Sequence, residues 1–224
     1  MIRLLVAMGL VLSLASCMKG STGEANSQPY KAIETDTVRT GQFWGIGIGD
    51  AAEEVYQTIQ NIRQEKQVAY LGITGNTYSD LAAIQTKLPL YNSIFLDEAT
   101  ATSTGIQIGF KSEKVEAIFM NNGAPLTTWP SINDAQTSIS IGDSVSKIYN
   151  KLVAIKALSV YGAKLQRLSL YDKNLQTDYD PAMVASVKWQ ILTTVTTNKR
   201  WQLVELNFSS GALTSIYYTL FENY

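Results

Sequence analysis

Hydrophobic positions recur along this chain with two different periods. Behind Asp50, the residues Val55, Ile59 and Ile62 repeat at helical spacing, and behind Asp143 so do Val145, Ile148, Leu152 and Ile155. Such spacing puts the apolar side chains on one face, so each stretch predicts an amphipathic helix. Elsewhere the period is two. Ile106, Ile108 and Phe110 alternate with Gln107 and Gly109, and Val204, Leu206 and Phe208 alternate with Glu205 and Asn207. Alternation predicts half-buried strands. Lys111-Ser112-Glu113-Lys114 and Ser209-Ser210-Gly211 follow as turn residues, so each strand is expected to return as a hairpin. Further strand candidates are 93–97 and 184–196. Leu81, Ile84 and Leu88 suggest a second helix in the first half, whereas 164–170 alternates like a strand.

These elements repeat in order. Ile46-Gly47-Ile48-Gly49-Asp50 followed by Val55-Tyr56 lies over Ile139-Ser140-Ile141-Gly142-Asp143 followed by Ile148-Tyr149, at an offset of 93. Ile106, Ile108, Phe110, Val115, Ile118 and Phe119 lie over Val204, Leu206, Phe208, Leu213, Ile216 and Tyr217, at an offset of 98. Two ordered matches whose spacing differs by one short loop indicate duplication. The fold class expected is α+β: two tandem copies, each a helix or helices packed on one face of an antiparallel sheet, spanning 42–123 and 136–224. A linker at 124–135 carries Pro125 and Pro130. Asp50 and Asp143 each follow a glycine and precede an apolar periodic run, the position of a helix N-cap. Capping explains both their place and their recurrence, which a pair of catalytic acids would not.

The amino end is of another kind. Arg3 is followed by an apolar run from Leu4 to Leu14 and then by Ala15-Ser16-Cys17. This is the layout of a secretory signal. Leu14-Ala15-Ser16-Cys17 resembles the lipobox of bacterial lipoproteins. That resemblance implies removal of 1–16, acylation of Cys17 with palmitate-type chains, and a membrane partner reached through the anchor. Met18, where an aspartate would resemble the inner-membrane retention signal, points to the outer membrane. The stretch Met18-Lys19-Gly20-Ser21-Thr22-Gly23 has no acidic residue, which favours the periplasmic face. Residues 17–41 are rich in Ser, Thr, Gly, Asn and Gln and read as a flexible tether.

With Gly49-Asp50, Gly142-Asp143 and the two terminal hairpins, the duplicated unit resembles the tandem fold of the β-lactamase inhibitor protein family and its single-copy relatives, the BamE-like lipoproteins of outer-membrane protein assembly. The resemblance implies a non-enzymatic protein that works by binding other proteins.

Composition narrows the chemistry. The chain has 224 residues, one cysteine and no histidine, with 18 basic and 19 acidic residues for a net charge of -1. Without histidine, Ser-His-Asp and Cys-His catalysis are excluded, and a closed zinc site lacks ligands. One thiol closes no internal disulfide. A near-neutral chain without a basic run has no field for nucleic acid. No cofactor and no metal are expected. Asp178-Tyr179-Asp180 before Pro181 lacks the glycine and later glutamate of a calcium loop and reads as a solvated loop. If Val204, Leu206 and Phe208 face the helices, then Trp201 and Leu203 fall on the opposite sheet face, where Tyr217 joins them. Phe119 is their counterpart in the first copy. Two readings of that face stand, an exposed protein-binding surface or a face covered by the other copy. The function expected is that of a lipid-anchored protein-binding module of the cell envelope. The alternative is a carbohydrate or small-ligand lipoprotein using the crevice between the copies.

Overall fold

Two α-helices form where the helical spacing places them, α1 (Ala52–Ile62) and α2 (Val145–Lys156). The computed structural model describes residues 29–132 and 134–224. Cys17, the signal segment and the first part of the expected tether therefore lie outside the described residues. Val55, Tyr56 and Ile59 of α1, and Ile148, Leu152 and Ile155 of α2, are buried against the sheets. Neither aspartate caps its helix. The N-caps are the following residues, Ala51 and Ser144, and neither side chain makes a capping bond. Asp50 Oδ2 instead accepts from Gly47 N at 2.7 Å, and Asp143 Oδ2 accepts from Ser140 N at 2.7 Å. The reason is the glycine before each one. Gly49 and Gly142 sit at φ +100° and +89°, which folds each short carboxylate back onto its own I-x-I-G loop and away from the helix amides. At α1, Glu54 takes over part of the task and accepts from Ala51 N at 3.0 Å.

The strands of the first half are β1 (Tyr30–Val38), β2 (Gln42–Phe43), β3 (Ile46–Gly47), β4 (Val68–Thr74), β5 (Thr77–Tyr78), β6 (Ser93–Asp97), β7 (Ile106–Lys111) and β8 (Lys114–Met120). Those of the second half are β9 (Pro125–Leu126), β10 (Thr128–Trp129), β11 (Ile139–Ser140), β12 (Arg167–Leu170), β13 (Lys188–Thr193), β14 (Arg200–Ser209) and β15 (Ala212–Asn223). Both hairpins form, β7–β8 and β14–β15. Their registers slip at corresponding steps, Gly109/Phe110 and Asn207/Phe208.

The expected tandem arrangement is not what the chain builds. Strands hold 43% of the described residues and helices 20%, so the class is mostly β. The two larger sheets run β1-β15-β14-β13-β4 and β5-β12-β6-β7-β8-β9. Each draws on both repeats: β4 of the first joins the second's strands, and β12 of the second joins the first's. The helix starts are exchanged as well. Gly49 N donates to Leu213 O (2.8 Å), Leu213 N to Asp50 O (2.9 Å) and Ala52 N to Gly211 O (2.9 Å), which ties α1 to the second hairpin. Gly142 N donates to Val115 O (2.8 Å), Val115 N to Asp143 O (2.8 Å) and Val145 N to Glu113 O (2.9 Å), which ties α2 to the first. The physical reason for the correction is this reciprocity. The loop that starts the helix of each repeat is tied by three backbone hydrogen bonds to the hairpin of the other.

The sheets also meet edge to edge. Ile73 N donates to Tyr171 O (2.8 Å), Lys173 N to Leu71 O (2.9 Å) and Leu170 N to Asn76 O (3.0 Å). Gly72 bridges Asp172, and β5 pairs with β12. β4 and β5 thus run antiparallel to 168–173, and the backbone ladder continues from one sheet into the other. One apolar cluster, from Ile46 to Ile216, lies beneath.

Four local expectations change. Residues 30–38, placed in the tether, form β1 and pair along β15. Leu81, Ile84 and Leu88 fall in two short 3₁₀ turns, Leu81–Ile84 and Leu88–Leu90, and Pro89 stands in the second. The strand expected at 184–196 shortens to β13, because Pro181–Ala185 is a 3₁₀ turn. Asp180 is not solvated. It is 1% exposed, accepts from Ala182 N at 3.0 Å, and pairs with Lys87 at 2.7 Å. Among the described residues no third acidic ligand joins Asp178 and Asp180.

The two halves should not fold apart. Expressed singly, 29–123 and 124–224 should give unfolded spectra by amide NMR, and together a one-to-one folded complex. A folded single half would refute the exchange. The aspartates also differ, since Asp143 holds Lys151 Nζ at 2.6 Å while Asp50 holds only its loop. Asp143→Ala should cost roughly 3 kcal/mol and Asp50→Ala about 1 kcal/mol in urea unfolding. Equal losses would remove the lysine's part.

Candidate functional site

Cross-strand partners share a face, so the registers define what the side away from the helices displays. Across the first sheet, one row runs Thr35, Thr219, Leu203, Leu192, Tyr70. Across the second, a row runs Phe119, Gln107, Phe95, Ser169. Tyr171 joins them, with its ring 6.1 Å from Tyr70 and 5.8 Å from Phe95. A single band therefore crosses both sheets with four aromatic rings, two leucines and no charged residue; the rings and Leu203 are half-buried, while Leu192 (5% exposed) and Thr219 (6%) lie packed between their neighbours. Beside it runs a second row, Thr37, Tyr217, Glu205, Gln190, Gly72. Here Glu205 accepts from Gln190 Nε2 at 2.9 Å and Lys188 Nζ at 3.0 Å, and Tyr171 donates to Gln190 Oε1 at 2.7 Å.

Gly72 makes the crossing possible. A Cβ there would meet the Tyr70 hydroxyl at 2.7 Å and Tyr171 Cζ at 3.1 Å. Without it the two tyrosines lie close over the backbone at the seam. Burial raises the Tyr70 hydroxyl well above its ordinary range, and Tyr171 and Asp172 add to this. Asp172, the bridge partner of Gly72, is pushed up to about 7 by burial, against the lowering effect of a hydrogen bond from Asn92.

The structure places Leu203, Tyr217 and Phe119 on this open side, and none belongs to the apolar core cluster. Tyr217 is 36% exposed. Trp201 lies on the same side but is 3% exposed. It stacks on Phe221 at 4.1 Å, meets Tyr30 edge-on, and donates to Asn223 Oδ1 at 3.1 Å. Its role is to pack the end of the sheet. Tyr70, Tyr171, Phe95 and Leu192 were missed by sequence reasoning. For Tyr70 the signal was present in Tyr70-Leu71-Gly72-Ile73, where alternation marks a strand but Gly72 weakens it; Phe95 and Leu192 fell within the strands expected at 93–97 and 184–196, whose facing was not assigned. Asp50 and Asp143 lie in the helix-start loops, apart from this surface.

A cavity of about 490 Å³ lies elsewhere, between α1 and 175–181. Tyr56 donates to Thr177 O at 2.7 Å there, and the Arg63 guanidinium binds Leu175 O and Gln176 Oε1. Gln60 Nε2, in its wall, is buried without a partner. Behind it Lys173 is fully buried, with Nζ over the rings of Tyr56 (5.2 Å) and Tyr91 (5.8 Å). Burial lowers this amine to about 8, against the raising effect of Asp180 and Asp178.

No protein-family model, curated protein or solved structure matches the chain.

Asp172 sets a pH dependence. Its folded pKa lies above the unfolded value of 3.8, so it weakens folding progressively as pH rises from about 4 to about 7. Asp172→Asn should therefore be more stable than the native chain at about pH 8 and differ little at about pH 4, measured by urea midpoints. A difference that does not change with pH would show that this carboxyl titrates normally.

Proposed function

We propose that this chain is a lipid-anchored protein of the bacterial cell envelope, on the periplasmic face of the outer membrane, that binds a protein partner on the open sheet face and catalyses no reaction. The observation that carries the reading is the uncharged aromatic and leucine band from Leu203 to Phe119. Interface centres are enriched in aromatic residues and depleted of charge. Tyrosine presents a large contact area with only two side-chain torsions to fix. A face stiffened by a continuous backbone ladder loses little freedom when a partner seats on it. The anchor is supported by Leu14-Ala15-Ser16-Cys17 and by the lone thiol standing at that place.

Affinity capture from detergent-solubilised envelopes tests the face. Gly109 lies on the open side opposite Ala117, and a Cβ there meets nothing nearer than 3.8 Å. Gly109→Arg therefore projects a charge outward without disturbing the core. Gly109→Arg and Tyr217→Ala should each lower recovery of the partner by roughly ten-fold, about 1.4 kcal/mol, with an unchanged melting temperature. Recovery equal to the native chain in both would end the face's candidacy. Labelling with a palmitate analogue tests the anchor, since the native chain should take label and Cys17→Ser should not.

A second reading, a small-ligand or carbohydrate lipoprotein, is favoured by the unpartnered Gln60 Nε2 in the cavity between a first-repeat helix and a second-repeat loop. Thermal stabilisation by an envelope oligosaccharide, abolished in Gln60→Ala, would favour it.

A further inference from the structure

Four segments come together at one end of the first sheet. β1 begins there at Tyr30 and β15 ends there at Asn223, with Tyr224 N donating to Pro29 O at 3.1 Å. The loop 194–199 joins through Asn223 N to Lys199 O at 2.9 Å, and the loop 64–67 through Thr194 N to Gln67 O at 2.9 Å. This pole is basic in a chain of net charge -1. Lys31, Lys66, Lys199 and Arg200 stand against Glu65 and Glu222. Glu222 holds Arg200 at 3.0 Å and Glu65 holds Lys66 at 2.6 Å. Lys31 and Lys199 are exposed and form no ion pair among the described residues. Arg63 stands nearby with its guanidinium spent on the 175–176 backbone and side chain.

The same pole is aromatic. Tyr224 is 78% exposed and Val195 38%. Tyr30 packs edge-on against Phe221, and Lys66 Nζ lies 6.0 Å over the Trp44 ring. Tyrosine and tryptophan rings beside lysine and arginine are the composition of a membrane interface, where the rings sit at headgroup depth and the cations meet anionic lipid. The chain preceding the described residues also joins here, at Pro29. Cys17 is twelve residues away, so an acylated Cys17 holds the pole within about 40 Å of the bilayer.

We propose that this pole rests on the anionic phospholipid surface of the bilayer that holds the anchor, so that β14 and β15 stand up from the membrane and the open face looks sideways. The proposal rests on the lipid-anchor reading for its biological setting. Its test is made independent of acylation by using the full chain carrying Cys17→Ser. Amide hydrogen exchange is followed on vesicles of phosphatidylcholine and on vesicles of phosphatidylcholine with phosphatidylglycerol. Exchange at 64–67, 194–200 and 222–224 should slow several-fold on the anionic vesicles relative to the neutral ones, and Lys199→Glu/Arg200→Glu should remove that difference. Equal exchange on both vesicles would overturn the proposal, as would slowing centred on the open face or on the β8–β9 edge. Protection of the pole in whole envelopes but not on vesicles would also overturn it and assign the surface to a protein or polysaccharide. If the native chain takes no palmitate analogue while the pole still responds to anionic lipid, the anchor reading fails alone.

Discussion

Six backbone hydrogen bonds govern this molecule, three between each Gly-Asp helix start and the hairpin turn of the opposite repeat. They connect positions distant in sequence, and they occur twice in the same pattern. Because Leu213 both donates to and accepts from the loop before α1, and Val115 does the same for α2, each helix is fixed in translation at its first turn. The apolar stripe then falls where the other repeat's strands need cover. Burial supplies most of the driving force, at roughly 25 cal/mol per Å² of apolar surface. The exchanged bonds decide which surface meets which.

That arrangement also explains why one side of the sheet is left open. The apolar core takes in both helices, and the band of Tyr70, Tyr171 and Phe95 lies outside it. The polar groups near the seam are satisfied on the helix side. Asp180 takes Lys87 at 2.7 Å and the Tyr91 hydroxyl at 2.9 Å, and Asn76 donates to Leu170 O at 3.1 Å. Buried ions of this kind contribute little net stability, but their loss from one partner is costly. They hold the 3₁₀ turn at Pro181–Ala185 against Lys87, and so hold the cavity wall where it is.

Much of this was legible in the residues and some was not, for reasons that differ by position. Val55, Ile59, Ile148 and Leu152 announced their helices because an apolar stripe at 3.6 spacing has few other uses. Leu203, Tyr217 and Phe119 were assigned to the face away from the helices because alternation along β14, β15 and β8 fixes which side chains turn away from the core, whereas nothing in it says whether that face is covered. Trp201 was placed on the right side yet misjudged, since alternation says nothing of in-plane neighbours such as Tyr30 and Phe221. Asp50 and Asp143 were misread because the pattern glycine-aspartate-helix is shared by a cap and by a loop clasp, and the glycine's positive φ decides between them. The exchange itself leaves no mark in local sequence. A repeat looks the same whether its strand pairs within the copy or across to the other, and the tandem expectation failed at that point.

Exchange of this kind governs how the molecule comes into being. A chain delivered amino end first, from a ribosome or through a translocation channel, presents α1 and β4 long before their partners exist. Ala52 waits for Gly211, and Leu71 waits for Ile191, so almost none of the first sheet can close until nearly the whole chain has emerged. Contacts this remote in sequence make folding slow, because loop closure must precede any gain from burial. During that interval Leu71 and Ile73 stand bare on an unpaired strand, a surface on which holding chaperones act and to which aggregation is drawn. Exchange between the two halves thus gives this protein a wide face at the expense of a late and all-or-none assembly.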